Sequence, residues 1–251
     1  MAASVVVVAA ATVLTGCGGH HQTGSGGSPT PGTAALPQAT TYTTLKGLSL
    51  DSGTAGGGGG TVVHPAVSVP ISATPGGPPV AVLPSKELGS PTWVPVVETK
   101  PGWQRVLLPS RPNRATGWIP TNGKEQTAHS SYLIKVQRSA RRLTLIKAGR
   151  TLGTWSVAVG AAKTPTPTGR TFLLASLAPA KATYSPLILP LGAHSDTLDS
   201  FGGGPGTVAL HGWPDASVFG KAATHGCVRV PADALSKLSR VPLGTTVRVT
   251  D

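Results

Sequence analysis

The sequence has few acidic residues, few aromatic residues and no long hydrophobic run. Only 9 of its 251 residues are Asp or Glu, against 21 Lys or Arg, which gives a formal charge of +12. Apart from the pair Arg141 and Arg142, the basic residues are scattered, and aromatic residues make up only 4% of the chain. Proteins that bind nucleic acid usually carry basic clusters interleaved with aromatic residues. We therefore predict no nucleic-acid partner and expect anionic surroundings of another kind.

The longest apolar run near the N-terminus, residues 5–14, is too short to span a bilayer but suits the core of a secretion signal. The residues that follow, Leu14-Thr15-Gly16-Cys17, resemble the lipobox of bacterial lipoproteins, whose cysteine is lipidated and held at the membrane by its acyl chains. We therefore predict a lipoprotein signal peptide over residues 1–17 and an extracytoplasmic, membrane-anchored protein that faces the cell wall. No Lys or Arg precedes Cys17, in contrast to the usual positive start of a signal. An unlipidated, cleaved signal peptide is the alternative.

Residues 18–79 have the composition of a linker. Of these 62 residues, 39 are Gly, Pro, Ser or Thr, and the only charged ones are Lys46 and Asp51. Such a stretch buries too little apolar area to offset the entropy of ordering it. We predict a disordered segment, which is either a tether that carries later domains into the wall or a tail without a function.

Residues 80–124 contain short β-rich runs separated by turn residues, which indicates hairpins. Three of the five tryptophans lie in or beside these runs, where they either form the core of a small barrel or present stacking faces. Gly102-Trp103-Gln104-Arg105-Val106 and Gly117-Trp118-Ile119 resemble a bacterial Src-homology-three-like β barrel, a module often found beside cell-wall enzymes. This resemblance implies an accessory spacer or wall-binding domain.

The remaining residues, 129–251, are long enough for an independent domain and consist mostly of short apolar runs typical of strands. The one good helix candidate is residues 232–238, where Ala234, Leu235 and Leu238 share a face and Pro231 lies near the first helical position. The pattern predicts a mainly β sandwich or barrel with one short helix.

Residues with reactive side chains lie at the ends of two of these short apolar runs. His211-Gly212 ends one run, and Thr224-His225-Gly226-Cys227-Val228-Arg229 follows after a loop. Glycines at these points let the backbone turn tightly and approach a substrate. If Cys17 is lipidated, Cys227 has no disulfide partner, and a solitary thiol in an oxidising compartment is explained by reactivity or deep burial. A neighbouring imidazolium would raise its thiolate fraction.

The string from His211-Gly212 through Gly220-Lys221 to Thr224-His225-Gly226-Cys227-Val228-Arg229 resembles the signature of the L,D-transpeptidase catalytic domain, the YkuD-like family. The resemblance covers about residues 129–250. It implies a mostly β domain that cleaves a peptidoglycan stem peptide, releases its terminal D-alanine and joins the acyl part to an amine of a neighbouring stem. It implies peptidoglycan stem peptides as partners, carbapenems as inhibitors, and no metal or other cofactor.

The resemblance also implies roles for individual residues. Cys227 is the nucleophile and His211 the general base, oriented by a backbone carbonyl such as that of Gly212, while His225 shapes the site and assists the substrate or oxyanion. Gly212, Thr224, Gly226 and Arg229 are expected to bind the substrate or the oxyanion, and Arg229 matches the family pattern two positions after the cysteine. Attack on an amide also needs donors for the tetrahedral oxyanion, and the backbone N–H groups around Gly226 and Cys227 are candidates.

Four other interpretations remain open from the sequence. His211, His225 and Cys227 could ligate zinc with His194 or Asp215, although the spacing matches no usual motif. The same three residues could be structural. Water in place of the acceptor amine would make the protein an L,D-carboxypeptidase. Finally, because Lys46 and Asp51 cancel, the whole charge of +12 lies in residues 80–251, which suits a non-catalytic lipoprotein that binds anionic wall polymers.

Overall fold

The structure, a computed structural model, describes residues 36–53, 60–181 and 183–251. The predicted signal peptide, with Cys17, lies outside the described residues, as do residues 18–35 and 54–59 of the predicted linker.

Residues 60–129 form an antiparallel sheet that we call the N-terminal sheet domain. Its main sheet has seven strands in the order β3-β2-β8-β7-β6-β1-β9, and β4 and β5 form a separate two-stranded ribbon. The strands are β1 Thr61–Pro65, β2 Val69–Ser72, β3 Pro79–Leu83, β4 Lys86–Glu87, β5 Ser90–Pro91, β6 Val94–Lys100, β7 Trp103–Leu107, β8 Thr116–Pro120 and β9 Glu125–His129. The likeness to a Src-homology-three-like barrel stays a prediction.

The linker prediction is wrong for the described residues of that stretch. Strands β1 and β2 lie within it, and β1 pairs with both β6 and β9. The accessory domain therefore begins near residue 60 and ends near residue 129, not at 80 and 124. The prediction from composition failed because the strand partners of β1 lie about 30 to 70 positions further along the chain. Of the three tryptophans, only Trp118 is buried.

Residues 36–53, which we call the strap, run along the N-terminal sheet domain without forming a strand of their own. Isolated bridges join Gln38 to Val82 and Thr44 to Arg111. Ala39 is fully buried and Leu45 nearly so. The strap is therefore an ordered part of the fold, although its composition is that of a linker.

The rest of the described chain forms two facing sheets and a short ribbon. The larger sheet has the order β12-β11-β10-β19-β14, the smaller one the order β15-β16-β18, and β13 pairs with β17. The strands are β10 Tyr132–Gln137, β11 Arg142–Lys147, β12 Arg150–Ser156, β13 Val159–Gly160, β14 Gly169–Phe172, β15 Ile188–His194, β16 Thr207–Gly212, β17 Ala222–Thr224, β18 Val228–Val230 and β19 Thr246–Thr250.

The core of this C-terminal domain lies between its two larger sheets. In β10, Ile134 and Val136 point inward while Lys135 is exposed, which is the alternation expected of a half-buried strand. They pack in one cluster with Leu210 and Val228 of the smaller sheet. The prediction of a mainly β sandwich with one short helix is confirmed.

The helix, α1 Ala232–Leu238, covers one end of the smaller sheet. Its buried residues are Ala234, Leu235 and Leu238, the face that the sequence predicts, and Pro231 is the N-cap. Within the part of the chain that the structure describes, no helix is long and apolar enough to cross a bilayer.

The two domains share apolar and ionic contacts. Phe172 and Leu174, which belong to the C-terminal domain, lie in the core cluster of the N-terminal sheet domain. The strap adds a buried ion pair, because Arg170 Nε donates to Asp51 Oδ2 at 2.8 Å and Arg170 Nη2 donates to Asp51 Oδ1. Both side chains are at least 93% buried. Residues 36–251 accordingly make up one compact unit.

Replacing Asp51 with alanine is expected to lower the free energy of unfolding by about 3–5 kcal/mol, because it leaves the Arg170 guanidinium buried without its carboxylate. Urea denaturation measures this loss. Asp251→Ala is the matched control, since Asp251 pairs with Arg138 at the surface and its loss is expected to change stability by about 1 kcal/mol or less. Equal losses of unfolding free energy in the two variants would contradict the conclusion that the strap is part of the folded structure.

Candidate active site

The candidate base, His211, and the candidate nucleophile, Cys227, lie at neighbouring strands. His211 is near the end of β16, and Cys227 immediately precedes β18, which pairs with β16 in parallel so that Leu210 lies opposite Val228. His211 is buried and Cys227 is partly exposed. Both line a cavity of about 610 Å³ whose wall is mostly apolar. The strand pairing therefore brings the imidazole and the thiol, 16 positions apart in sequence, to one cleft.

The loop that carries Cys227 is held by threonine hydroxyls. Thr224 Oγ1 donates to the Cys227 carbonyl at 2.6 Å and accepts the Gly226 N–H at 3.1 Å. Thr166 Oγ1 donates to the Gly226 carbonyl at 2.8 Å. Gly226 has φ of +118°, which favours glycine over any residue with a Cβ. These contacts fix the backbone on both sides of the thiol.

The His211 ring is oriented by its own strand end. Nδ1–H donates to the Gly212 carbonyl at 2.8 Å, since a carbonyl only accepts, and this leaves Nε2 as the basic nitrogen of the neutral ring. Ser185 Oγ in turn accepts the Gly212 N–H at 2.8 Å. Burial lowers the pKa of His211, and the charge of Arg229 acts in the same direction. The imidazole is therefore neutral at pH 7 and free to accept a proton.

The thiol is also neutral in the resting state. Burial raises the pKa of Cys227, and this outweighs a backbone hydrogen bond from Ala209 and the charge of Arg229, which both lower it. The sequence suggested that a neighbouring imidazolium would increase the thiolate fraction. The two pKa directions instead indicate a protonated thiol and a neutral imidazole.

Aromatic residues and a cation surround this pair. The Tyr184 ring meets the His211 ring edge-on with centroids 4.9 Å apart, and Trp213 lies 5.4 Å from Tyr184. The Arg229 guanidinium stacks on Trp213 at 3.6 Å from the ring centroid. Burial raises the pKa of Tyr184, so its hydroxyl stays protonated. The stack holds the positive charge of Arg229 in the cavity wall near Cys227.

The second histidine of the motif lies at the rim. His225 is exposed and lines the same cavity, and its ring stacks on Phe201 with centroids 4.8 Å apart and planes at 29°. That His225 assists the substrate or oxyanion stays a prediction.

Two backbone N–H groups of the motif have hydrogen-bond partners within the protein, and the predicted contacts of Gly212, Thr224, Gly226 and Arg229 with the substrate or oxyanion stay predictions. The Gly226 N–H is bonded to Thr224 Oγ1, and the Gly212 N–H is bonded to Ser185 Oγ. Both glycines, and the buried Thr224 hydroxyl, therefore act in building the site. The sequence could not indicate this because the direction of a backbone N–H depends on the local turn. Arg229 lines the cavity and is the cation beside the thiol.

The zinc interpretation finds no ligand set in the described ranges. No three His, Cys, Asp or Glu side chains there form a group that could hold a metal ion. His194 Nε2–H donates to the Thr41 carbonyl at 2.7 Å, and Asp215 accepts from Ser217 at the start of a short 3-10 helix. Neither of them lines the cavity that holds Cys227.

Three site residues escaped the sequence analysis: Tyr184, Trp213 and Phe201. Trp213 directly follows His211-Gly212, and an aromatic residue beside a candidate base was a usable signal. Tyr184 and Phe201 lie outside the strands, in loops where no periodic pattern points to a cleft.

Comparison with known proteins assigns the C-terminal domain. Residues 131–249 match the family model of the L,D-transpeptidase catalytic domain, YkuD. A Bacillus licheniformis protein that carries the provisional name L,D-transpeptidase YkuD is 33% identical over 120 residues, which are 47% of this chain and 66% of the relative. The chain thus spans just under two thirds of that relative's length.

Solved structures include similar chains. An L,D-transpeptidase from Mycobacterium smegmatis has a TM-score of 0.42 at 18% identity, with 63% of this chain and 82% of that one covered. L,D-transpeptidase 3 from Mycobacterium tuberculosis, solved with a faropenem-derived adduct, has a TM-score of 0.40 at 15% identity, with 56% and 75% covered. Because both scores are low, the assignment rests on the sequence matches. Residues 131–249 of this chain belong to the YkuD family of L,D-transpeptidase catalytic domains.

Proposed function

We propose that the protein is a peptidoglycan L,D-transpeptidase with Cys227 as its nucleophile and His211 as its general base. The observation that carries the proposal is the placement of this thiol and this imidazole in one cavity, at the ends of two paired strands of a YkuD-family domain. The donor substrate is a tetrapeptide stem, and the acceptor is an amine of a neighbouring stem.

The first half-reaction is acylation of the enzyme. The Cys227 sulfur attacks the carbonyl carbon of the amide that precedes the terminal D-alanine, and the thiol proton passes to His211 Nε2. Collapse of the tetrahedral intermediate breaks the C–N bond, and the imidazolium returns the proton to the departing amine. The products are a thioester on Cys227 and free D-alanine. Arg229 stacks on Trp213, and its charge acts against the larger effect of burial on the pKa of Cys227. The same charge is placed to stabilise the negative charge that develops during the reaction.

The second half-reaction decides between two activities. An acceptor amine attacks the thioester carbon, His211 removes its proton, and the sulfur leaves and is reprotonated, so that a new amide forms. Water in the same position would give an L,D-carboxypeptidase. The cavity wall is mostly apolar, and Tyr184 and Trp213 pack around His211. This favours an amine held by a second stem over bulk water.

The two activities are separated by product analysis. Purified protein is incubated with a disaccharide-tetrapeptide, and the products are identified by mass spectrometry. The proposal predicts a dimer in which two stems share one new amide, together with one D-alanine released for each dimer. Exclusive formation of the tripeptide would identify the carboxypeptidase.

The pKa directions predict how acylation by a carbapenem depends on pH. Because the pKa of His211 is lowered from 6.5, the base stays neutral at and above pH 7, and the acylation rate is expected to vary by less than about threefold between pH 7 and 8.5. Below the His211 pKa the base is protonated, and the rate is expected to fall about tenfold per pH unit. Stopped-flow or quenched mass spectrometry measures the profile. A rate that climbs tenfold per unit from pH 7 to 8.5 would instead indicate reaction through pre-formed thiolate.

The proposed location is the outer face of the cell membrane, with Cys17 lipidated. This rests on the residues Leu14-Thr15-Gly16-Cys17. Expressed in a bacterium that processes lipoproteins, the native chain is expected in the membrane fraction and the Cys17→Ala variant outside it. Equal membrane association of the two would contradict lipid anchoring.

A further inference from the structure

Part of the wall of the active-site cavity comes from outside the catalytic domain. Thr41 and Tyr42 of the strap and Leu88 of the N-terminal sheet domain line the same cavity as Cys227 and His211. The family match begins only at residue 131. A cavity built by the catalytic domain alone would therefore lack this side.

The strap is fixed at the cavity by Thr41. His194 Nε2–H donates to the Thr41 carbonyl at 2.7 Å and lies 2.8 Å from Thr41 Oγ1. The Thr41 N–H donates to Glu87 Oε1, on the ribbon that also carries Leu88. Because Thr41, Glu87 and His194 are all buried, these bonds hold the next residue, Tyr42, at the cavity rim, where its side chain is 67% exposed.

Leu88 adopts a backbone conformation that disfavours its own side chain. It lies in the turn of the ribbon between β4 and β5, with φ of +49°, and is followed by Gly89 with φ of +75°. Asn, Asp or Gly is the usual residue at such a turn position. Leu88 therefore lines the cavity from a strained backbone conformation. Strained backbone conformations are frequent at binding sites.

Arg111 joins the N-terminal sheet domain, the strap and a loop of the catalytic domain. Its Nη2 group donates to the carbonyls of Leu198, Asp199 and Pro205, at 3.4, 3.1 and 2.6 Å. Its backbone N–H donates to the Thr43 carbonyl of the strap at 2.9 Å, and its carbonyl accepts the Leu45 N–H at 2.8 Å. One residue therefore holds the loop and the strap together.

The loop held by Arg111 carries Phe201, the aromatic partner of His225. Phe201 is followed by Gly202, Gly203 and Gly204, so the local chain has little intrinsic stiffness. Its ring is 52% exposed and lines the cavity. Phe201 and Gly204 exchange two backbone hydrogen bonds of 3.0 Å that close this turn, and Arg111 fixes the turn from outside by bonding to the chain on both sides of the glycine run.

We propose that Arg111 is a positioning residue and that Tyr42 and Leu88 determine substrate specificity, together building a wall against which the peptide part of the donor stem packs. An exposed tyrosine and a half-buried leucine on a cavity wall suit an extended peptide held along its length. The N-terminal sheet domain then serves substrate binding directly and is not a spacer. This inference rests on the proposed transpeptidase function.

The test compares steady-state kinetics on a disaccharide-tetrapeptide with acylation by a carbapenem, a compact ligand that needs only the surroundings of Cys227. Arg111→Ala and Tyr42→Ala are each expected to raise KM about tenfold and to change kcat by less than about threefold. Carbapenem acylation should stay within about threefold of the native rate. Arg111→Lys should raise KM less than Arg111→Ala does, because an ammonium group reaches only some of the three carbonyls.

Two further variants separate binding from folding. Leu88→Asn relieves the positive φ but removes a leucine that packs against the core of the N-terminal sheet domain, so the two effects on the melting temperature oppose each other. We expect a melting temperature within a few degrees of the native value and a several-fold rise in KM. Arg105→Ala removes an arginine of the same domain that pairs with Glu98, and it should leave KM unchanged. An unchanged KM in Arg111→Ala, Tyr42→Ala and Leu88→Asn would overturn the proposal, as would an equal rise in Arg105→Ala.

A measurement without turnover distinguishes failure of this inference from failure of the proposed function. The ring current of Phe201 shifts the ring protons of His225, and NMR of Arg111→Ala should show that shift reduced while Arg105→Ala retains it. Loss of the shift without any reaction of the native protein on the tetrapeptide would overturn the transpeptidase and leave the positioning role of Arg111 standing. A retained shift in Arg111→Ala would overturn the positioning role whatever the native activity.

Discussion

Cys227→Ala is expected to form no adduct with a carbapenem and to lose at least about 10⁴-fold in tetrapeptide cleavage. The sulfur is the only group of the proposed mechanism that forms a bond to the substrate carbon. The neighbouring Thr224 hydroxyl is not available to replace it, because it donates to the Cys227 carbonyl. Intact-protein mass spectrometry detects the adduct, and chromatography of released D-alanine measures the cleavage.

The fold of this variant should be unchanged, because Cys227 is partly exposed and its loop is held by Thr224 and Thr166. An unchanged melting temperature verifies this. A chelator should not affect acylation of the native protein, whereas thiol alkylation should abolish it. Acylation that is lost with the chelator and survives alkylation would support a metal site and contradict the thiol mechanism.

His211→Ala is expected to reduce carbapenem acylation at pH 7 by about 10²–10⁴-fold. Burial keeps the Cys227 thiol protonated, and the substitution removes the imidazole that the proposed mechanism uses to accept its proton. Acylation of the variant should then depend on thiolate formed by titration, and its rate should rise about tenfold per pH unit from pH 7 towards the raised thiol pKa. The native protein, in contrast, should show the flat profile of a neutral base.

This difference in slope separates a catalytic from a structural role of His211. A variant that only loosens the site would be slower at every pH and keep the native profile. Trp213→Leu is a suitable comparison, because Trp213 packs near His211 and stacks on Arg229 but accepts no proton. It should lower the rate and leave the pH dependence flat. A flat profile in His211→Ala would contradict the general base.

The catalytic strands and the helix were accessible from sequence because local patterns specify them. The apolar run that ends at His211 is β16, the run after Cys227 is β18, and α1 has the predicted bounds and buried face. Parallel pairing places Leu210 of β16 opposite Val228 of β18, so His211 and Cys227 each lie one position from that pair. Local sequence patterns were therefore sufficient to predict that the motif residues lie at one cleft.

Features that depend on distant contacts were not accessible from sequence. Asp51, in a stretch with the composition of a linker, is buried against Arg170, 119 positions away. Thr41 is ordered by His194, 153 positions away. The roles of the Gly226 and Gly212 N–H groups depended on turn geometry, and the aromatic wall depended on loops without periodicity. Composition reports the cost of ordering a segment and does not reveal the partners that offset it.

The central claim, that the Cys227 sulfur attacks the stem peptide, is tested most directly by trapping the acyl-enzyme. Native protein is mixed with a disaccharide-tetrapeptide without further acceptor, quenched in acid and digested with trypsin, which releases residues 222–229 as one peptide. We predict that this peptide gains the mass of the tetrapeptide donor minus D-alanine and that fragmentation places the gain on Cys227. Cross-linked or cleaved product with no adduct on that peptide, or an adduct on any other residue, would contradict the mechanism.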